Sequence, residues 1–235
     1  KEYFLFKNEE SLTKRIVPEN YYHKKREGFE KDKVLILPKK GIIMKKGTLF
    51  LVLFCISLPV FLLLFSYHST LLFYPKSEVQ KETISFVNGG RENMSINYTS
   101  SEISHLQDVR GVTKGERYLF IAVYLIVILI FGANMKNKFF SKKLLRYGGI
   151  TTAIIMGIIL LFSLVSFNEI FTLFHQLFFP QGNWMFAPES LLIQTFPFNF
   201  FTNIGIIIFL QTIILASFLI GLSFLLKDDH LNPKD

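Results

Sequence analysis

A single cysteine among 235 residues leaves no disulfide framework and no Cys-rich zinc module to hold this chain together. Acidic residues are scarce, 18 Asp and Glu against 26 Lys and Arg, and charge of either sign nearly vanishes from several long stretches. That thinning excludes a disordered, charge-dominated chain. Also missing are a Gly-x-Ser-x-Gly elbow, a P-loop, a dinucleotide fingerprint and a His-Glu-x-x-His zinc helix. What is present is apolar: 50% of the residues are hydrophobic, 27 are Phe, and mean hydropathy is +0.37. A polytopic membrane protein fits these numbers better than a soluble core does.

The formal net charge of +8 does not describe a nucleic-acid surface, because it is concentrated at one end. Residues 1–46 carry 13 basic and 7 acidic side chains, and everything after Lys46 is close to neutral. The segment 1–43 precedes Met44-Lys45-Lys46 and an apolar run. It reads either as upstream or fragmentary sequence or as a basic cytoplasmic tail on the inner leaflet. Residues 229–235 read as a short cytoplasmic tail.

Crossing about 30 Å of hydrocarbon takes roughly 20 apolar residues, and four segments qualify. They are 48–67, 118–135, 148–167 and 204–226, within a body spanning 44–228. The connection after the second span holds Lys136, Lys138, Lys142, Lys143 and Arg146 without an acid, so it faces the cytoplasm. Both termini then lie on the cytoplasmic side, and the long loops 68–117 and 168–203 share the outer surface. Pro59 and Gln211 are tolerated features inside spans. Cys55 lies within the first span among Leu, Ile and Phe, as a small buried hydrophobe.

In the first outer loop, Thr83-Ile84-Ser85-Phe86-Val87 and Met94-Ser95-Ile96-Asn97-Tyr98 alternate in polarity around Asn88-Gly89-Gly90, which predicts a small β hairpin or sheet. A short helix should follow from Glu102 to Gly111, capped by Ser100 or Ser101. On it, spacing by three puts Glu102, His105 and Asp108 near one face, where a carboxylate can orient the imidazole; the same pattern also describes a solvated helix face. In the second outer loop, Phe167, Phe171, Phe174 and Phe178 recur at helical spacing with Asn168, Thr172 and His175 on an adjacent face. This predicts an amphipathic helix in the membrane interface, ended by Pro180, with the lone Trp184 beyond it. His175 there is either chemically active or an interfacial hydrogen-bonding residue. The expected fold is thus an all-α membrane protein of four spans with an extracytoplasmic cap and an interfacial helix.

Taken together, Glu102-x-x-His105-x-x-Asp108-Val109, Phe174-His175-x-x-Phe178-Phe179, Trp184, Pro188, Leu191-Leu192 and Phe196-Pro197-x-x-Phe200-Phe201 resemble the lipoprotein intramolecular transacylases (Lit-type) of Gram-positive bacteria, over about residues 44–226. The resemblance implies an O-to-N acyltransferase in the cell membrane that acts on diacylglyceryl-modified lipoproteins. It moves the sn-2 acyl chain to the amine of the N-terminal cysteine, giving the lyso form. It also implies that His105 and His175 are the essential pair.

Donor ester and acceptor amine then share one lipidated cysteine, so neither an acyl-enzyme nor a cofactor is required. The expected division is one histidine as general base and the other on the oxyanion or leaving oxygen, with Glu102 or Asp108 in support. Phe171, Phe174, Phe178 and Trp184 are the expected lipid contacts, and the partners are the lipoprotein N-terminus and membrane lipid, with no nucleic acid. Two other classes compete. A metal-dependent membrane hydrolase would use His105, His175, Glu102 and Asp108 as ligands, and a four-span scaffold would tolerate loss of both histidines.

Overall fold

The computed structural model describes residues 46–226, and the segments 1–43 and 229–235, with His23 and His230, fall outside them. Among the described residues six helices run in order: α1 Lys46–Phe73, α2 Glu78–Val87, α3 Ser100–Asn134, α4 Lys138–Phe178, α5 Leu191–Thr195 and α6 Phe198–Leu225. Four of them, α1, α3, α4 and α6, are long and apolar enough to cross a membrane. At 1.5 Å per residue, α3 with 35 residues reaches about 52 Å, well beyond a hydrocarbon core of about 30 Å, and α4 with 41 residues also exceeds a single crossing, with a kink at Ser166. Their apolar stretches, 118–134 and 148–167, account for the crossing, so the start of α3 and the segment of α4 after Ser166 are left outside it.

The bundle closes on Phe54, Leu58 and Leu62 of α1, Val127 and Ile130 of α3, Leu144 of α4 and Ala216 of α6. Gly148 and Gly149 let the helices approach. A Cβ on Gly149 would stand 2.9 Å from the Ala216 carbonyl oxygen, and one on Gly148 would stand 2.9 Å from the Phe54 ring. Polar side chains inside the bundle mostly return to their own helix. Thr152, Ser163 and Thr212 donate to carbonyls four residues back at 2.7–2.8 Å, which satisfies each hydroxyl without a neighbour. Two cross between helices: the Gln211 amide joins α6 to Thr70 and Ser69 of α1 at 3.1 and 3.0 Å, and Ser141 of α4 donates to the Asn134 carbonyl of α3 at 2.8 Å.

The expected β hairpin is replaced by helix α2, and the described residues contain no strand. Thr83, Phe86 and Val87 are its buried positions, a three-and-four spacing that the polar-apolar alternation concealed. Ser77 and Gln80 form a reciprocal capping box at its start. At its end Gly89 adopts φ +75° and Gly90 N–H donates to Ser85 O at 2.8 Å, so the Asn-Gly-Gly stops a helix instead of turning a hairpin.

The short helix also differs from expectation. Its cap is Thr99, whose box partner is Glu102, and it passes through Gly111 into the second span without a break. Gly111 stops nothing because its φ is not positive; Gly89 and Gly182 alone among the described glycines have that geometry. The Phe-rich segment follows the third span across a kink at Ser166, whose backbone is not helical (φ −139°, ψ 48°), so α4 consists of two helical segments joined there.

A second apolar cluster lies at the projecting ends, built from Phe86 and Val87 of α2, Tyr98, Leu106 of α3 and Leu192 of α5. Polar bonds knit the same pieces together. Tyr98 hydroxyl meets Thr83 at 3.0 Å and Thr195 at 3.3 Å, and Gln80 donates to Thr195 O at 2.8 Å. Both long connections are therefore fastened into one cap at one end of the bundle.

Candidate active site

Helix α3 supplies His105, one turn past its capped start, and α4 supplies His175 in its last turn before Phe179. The rings come together across the cap, with centroids 6.2 Å apart and planes inclined by 26°. His105 is 7% exposed and His175 is half-buried. His175 Nδ1 lies 2.8 Å from the Phe171 carbonyl oxygen. Since a carbonyl only accepts, that nitrogen carries the proton, and Nε2 is left with the lone pair.

Aromatic rings surround the pair. Phe171 and Trp184 lie 4.0 and 4.9 Å from the His175 ring, with Phe174 at 5.5 Å. Phe179 touches both imidazoles, at 4.9 Å from His105 and 5.6 Å from His175, and Phe186 flanks His105 at 5.7 Å. Three of the four expected lipid contacts thus border His175. Phe178 instead packs against Phe174, with ring centroids 4.7 Å apart and planes tilted by 43°, and is 45% exposed. Phe179 and Phe186 were not singled out in the sequence, although Phe179 closes the Phe-His-x-x-Phe-Phe run.

Burial in this aromatic shell disfavours the imidazolium, so both histidines are pushed below their ordinary pKa. For His105 the neighbouring His175 adds to the depression, while Asn183 and Asp108 oppose it. For His175 the bond to Phe171 O is the opposing influence. Near neutral pH both rings are available as proton acceptors.

The two expected carboxylates take different places. Glu102 is 1% exposed, and one of its oxygens accepts from Leu192 N–H at 2.7 Å, the other from Thr99 N–H and Oγ1 at 2.8 Å each. Burial alone would raise this carboxyl, but the hydrogen bonds from Leu192, Thr99 and Leu191 outweigh it and hold it below the usual range. Glu102 therefore clamps the start of α3 to the start of α5. Asp108 Oδ2 accepts from Gln181 at 2.9 Å and from Asn183 at 2.5 Å, residues of the loop that follows α4. Neither carboxylate hydrogen-bonds an imidazole. Among the described residues no three His, Cys, Asp or Glu side chains are grouped to hold a metal ion. His68 lies outside the pair and meets Glu116 at 3.1 Å.

Four apolar helices and a capped histidine pair define a multi-pass membrane protein with a concentrated polar site at one end of its bundle. A family model described as lipoprotein intramolecular transacylase Lit matches residues 46–201, and the chain belongs to that family. Its fold is similar to the membrane-integral lipoprotein intramolecular transacylase Lit from Bacillus cereus, with a TM-score of 0.65 at 19% identity over 77% of this chain and 95% of that one. Histidine-to-arginine and histidine-to-alanine mutants of the same Bacillus cereus protein each match at 0.60, with 19% and 18% identity over 77% of this chain and 91% and 93% of theirs. An uncharacterised protein of Aquifex aeolicus is 25% identical over 104 residues, 44% of this chain and 45% of that protein, so the match spans less than half of that relative.

Proposed function

We propose that this protein transfers the sn-2 acyl chain of a diacylglyceryl-modified lipoprotein to the α-amine of the same lipidated cysteine, producing a lyso-form lipoprotein. The observation that carries the reading is the pair of depressed, aromatic-walled histidines from α3 and α4. Family membership supplies the substrate class.

The amine nitrogen attacks the ester carbonyl carbon and its proton passes to a neutral imidazole. When the tetrahedral intermediate collapses, the bond to the glycerol C2 oxygen breaks and that oxygen takes a proton from an imidazolium. No atom is lost, and donor and acceptor are already held on one molecule. The rings of Phe171, Phe174 and Trp184 offer the acyl chains an apolar wall beside His175. In this reading the basic α3–α4 connection lies in the cytoplasm and the cap at the outer leaflet of the cell membrane, where lipoproteins present their lipidated ends.

The test is mass spectrometry of the N-terminal lipopeptide of a model lipoprotein, co-expressed with this protein in cells that otherwise leave the cysteine amine free. An N-acylated, mono-acylglyceryl peptide of unchanged total mass is expected. A peptide that keeps its free amine, or that loses one acyl chain, overturns the reading.

A further inference from the structure

His105 has a buried Nδ1 without a hydrogen-bond partner, and the Oδ1 of Asn183 is buried and unpartnered as well. The two residues adjoin: Asn183 is bonded to Asp108, one helical turn past His105 on α3, and its side chain acts on the His105 ring. Orientation of the Asn183 amide is settled by its other end, because Nδ2 donates to Asp108 Oδ2 at 2.5 Å and a carboxylate cannot donate back. The oxygen is thus left for the imidazole. Nor is this loop placed casually. Gly182 takes φ +79°, its N–H donates to Phe179 O at 3.1 Å, and the resulting turn brings Gln181 and Asn183 together onto one carboxylate oxygen.

We propose that Asn183 is the positioning residue of His105: held by Asp108, its Oδ1 accepts the Nδ1 proton of the imidazole and turns the Nε2 lone pair toward the reacting atoms. Glu102, three residues before His105, does not do this work, since its oxygens are engaged by Leu192 and Thr99. The neutral amide suits a base that must be uncharged at rest. A carboxylate in direct contact would stabilise the imidazolium and raise the pKa that burial has lowered. One amide removed, Asp108 fixes the Asn183 rotamer and exerts a weaker pull. The titratable groups acting on His105 are then His175 from α4, which disfavours the cation, and Asp108 from α3, which favours it. Both atoms are unpaired in this structure, and hydrogen bonds of this kind often close fully only with substrate bound.

The proposal deepens the transacylase reading and rests on it for its kinetic arm. In lipid nanodiscs, protein labelled with ¹⁵N-histidine reports the tautomer of His105, assigned by the signal lost in His105→Gln. The expected signal is a protonated Nδ1 and an unprotonated Nε2. Asn183→Leu is expected to populate the opposite tautomer and to lower kcat by at least about tenfold with KM within about twofold. Asn183→Asp keeps the acceptor oxygen, so it should retain the tautomer and move the acid limb of the pH profile upward. Unchanged His105 signals and kcat in Asn183→Leu overturn the assignment, as does a fall in thermal midpoint without any change of tautomer. If wild-type protein transfers no acyl chain, the transacylase reading fails, while the tautomer comparison still decides the role of Asn183.

Discussion

Membrane body and cap solve the same problem, the burial of polar groups, in opposite ways. In the body, Thr152, Ser163 and Thr212 bond to carbonyls of their own helix, one turn away. In the cap, Glu102 reaches Leu192, Gln80 reaches Thr195 and Asp108 reaches Gln181 and Asn183, across 73 to 115 residues of sequence. Local satisfaction leaves the body held mainly by shape and apolar packing, with the Gln211 bonds to Thr70 and Ser69 as a polar tie between helices. Long-range satisfaction makes the cap a set of specified contacts, and a set of this kind can hold two imidazoles in register.

The sharpest way to separate the two regions is to remove an imidazole. His175→Ala is expected to reduce acyl transfer by about 10²–10⁴-fold, the usual worth of general acid–base catalysis, while the body stays folded in detergent. Lipopeptide mass spectrometry alongside a melting curve tests this, and near-normal transfer would falsify a two-histidine mechanism. The pH dependence follows from the same groups. Both histidines are lowered from 6.5, so the limb of the pH profile that reports them should lie below 6.5, separate from the earlier fall set by protonation of the attacking α-amine at about pH 8. Stability moves in the same sense: a histidine buried neutral contributes above its unfolded pKa, and that contribution is lost as pH falls toward the folded value.

Glu102 tests whether the cap is specified as argued. Glu102→Ala strands the Leu192 and Thr99 N–H groups at a cost of about 1 to 3 kcal/mol each, and should loosen α5 from α3. Proteolysis or hydrogen exchange localised to the cap, with the spans still protected, is the expected result. Because its folded pKa is lowered, Glu102 contributes stability above its unfolded value near pH 4.3, and that contribution disappears as pH falls through the folded value. Equal loss of protection in cap and body would erase the distinction between the two regions.

That distinction also explains what the sequence revealed. All four spans were legible because apolar length is a local property; only their extents differed, since α3 and α4 continue as helix beyond the apolar residues. Loop topology placed His105 and His175 at one end, and the family resemblance singled them out as a pair. The partner of Glu102 was not legible, because nothing near it in sequence points to a backbone N–H 90 residues away. Helix α2 was misread as a hairpin because its polar-apolar alternation and its Asn-Gly-Gly stop imitate one over five residues. Asn183 carried one faint signal: with Gln181 and Gly182 it forms a short polar break between Phe178-Phe179-Pro180 and Trp184-Met185-Phe186.

Within the body, shape should matter more than any single polar bond. Gly149→Ala drives a Cβ to 2.7 Å from Ile220 Cγ1 and 2.9 Å from the Ala216 carbonyl, so α4 and α6 must separate, at about 1–3 kcal/mol for overpacking. Gly157→Ala is the control, with nothing within 4 Å of the added carbon. The pair should differ clearly in melting temperature. Equal midpoints would mean that the body adjusts more freely than its close helix contacts imply.

The smallest effect belongs to Thr212→Val. Thr212 is fully buried, and in a cap-like region the loss of its hydroxyl would strand a distant partner. Here the hydroxyl bonds only the Ile208 carbonyl at 2.7 Å, an oxygen that also belongs to the helix ladder. Valine keeps the volume and branching, and it removes the donor without orphaning an acceptor, so stability should change by less than about 0.5 kcal/mol. A loss of 2 kcal/mol or more, measured against Gly149→Ala in the same detergent, would show that the hydroxyl serves a partner on another helix. The body would then depend on specified polar contacts, as the cap does.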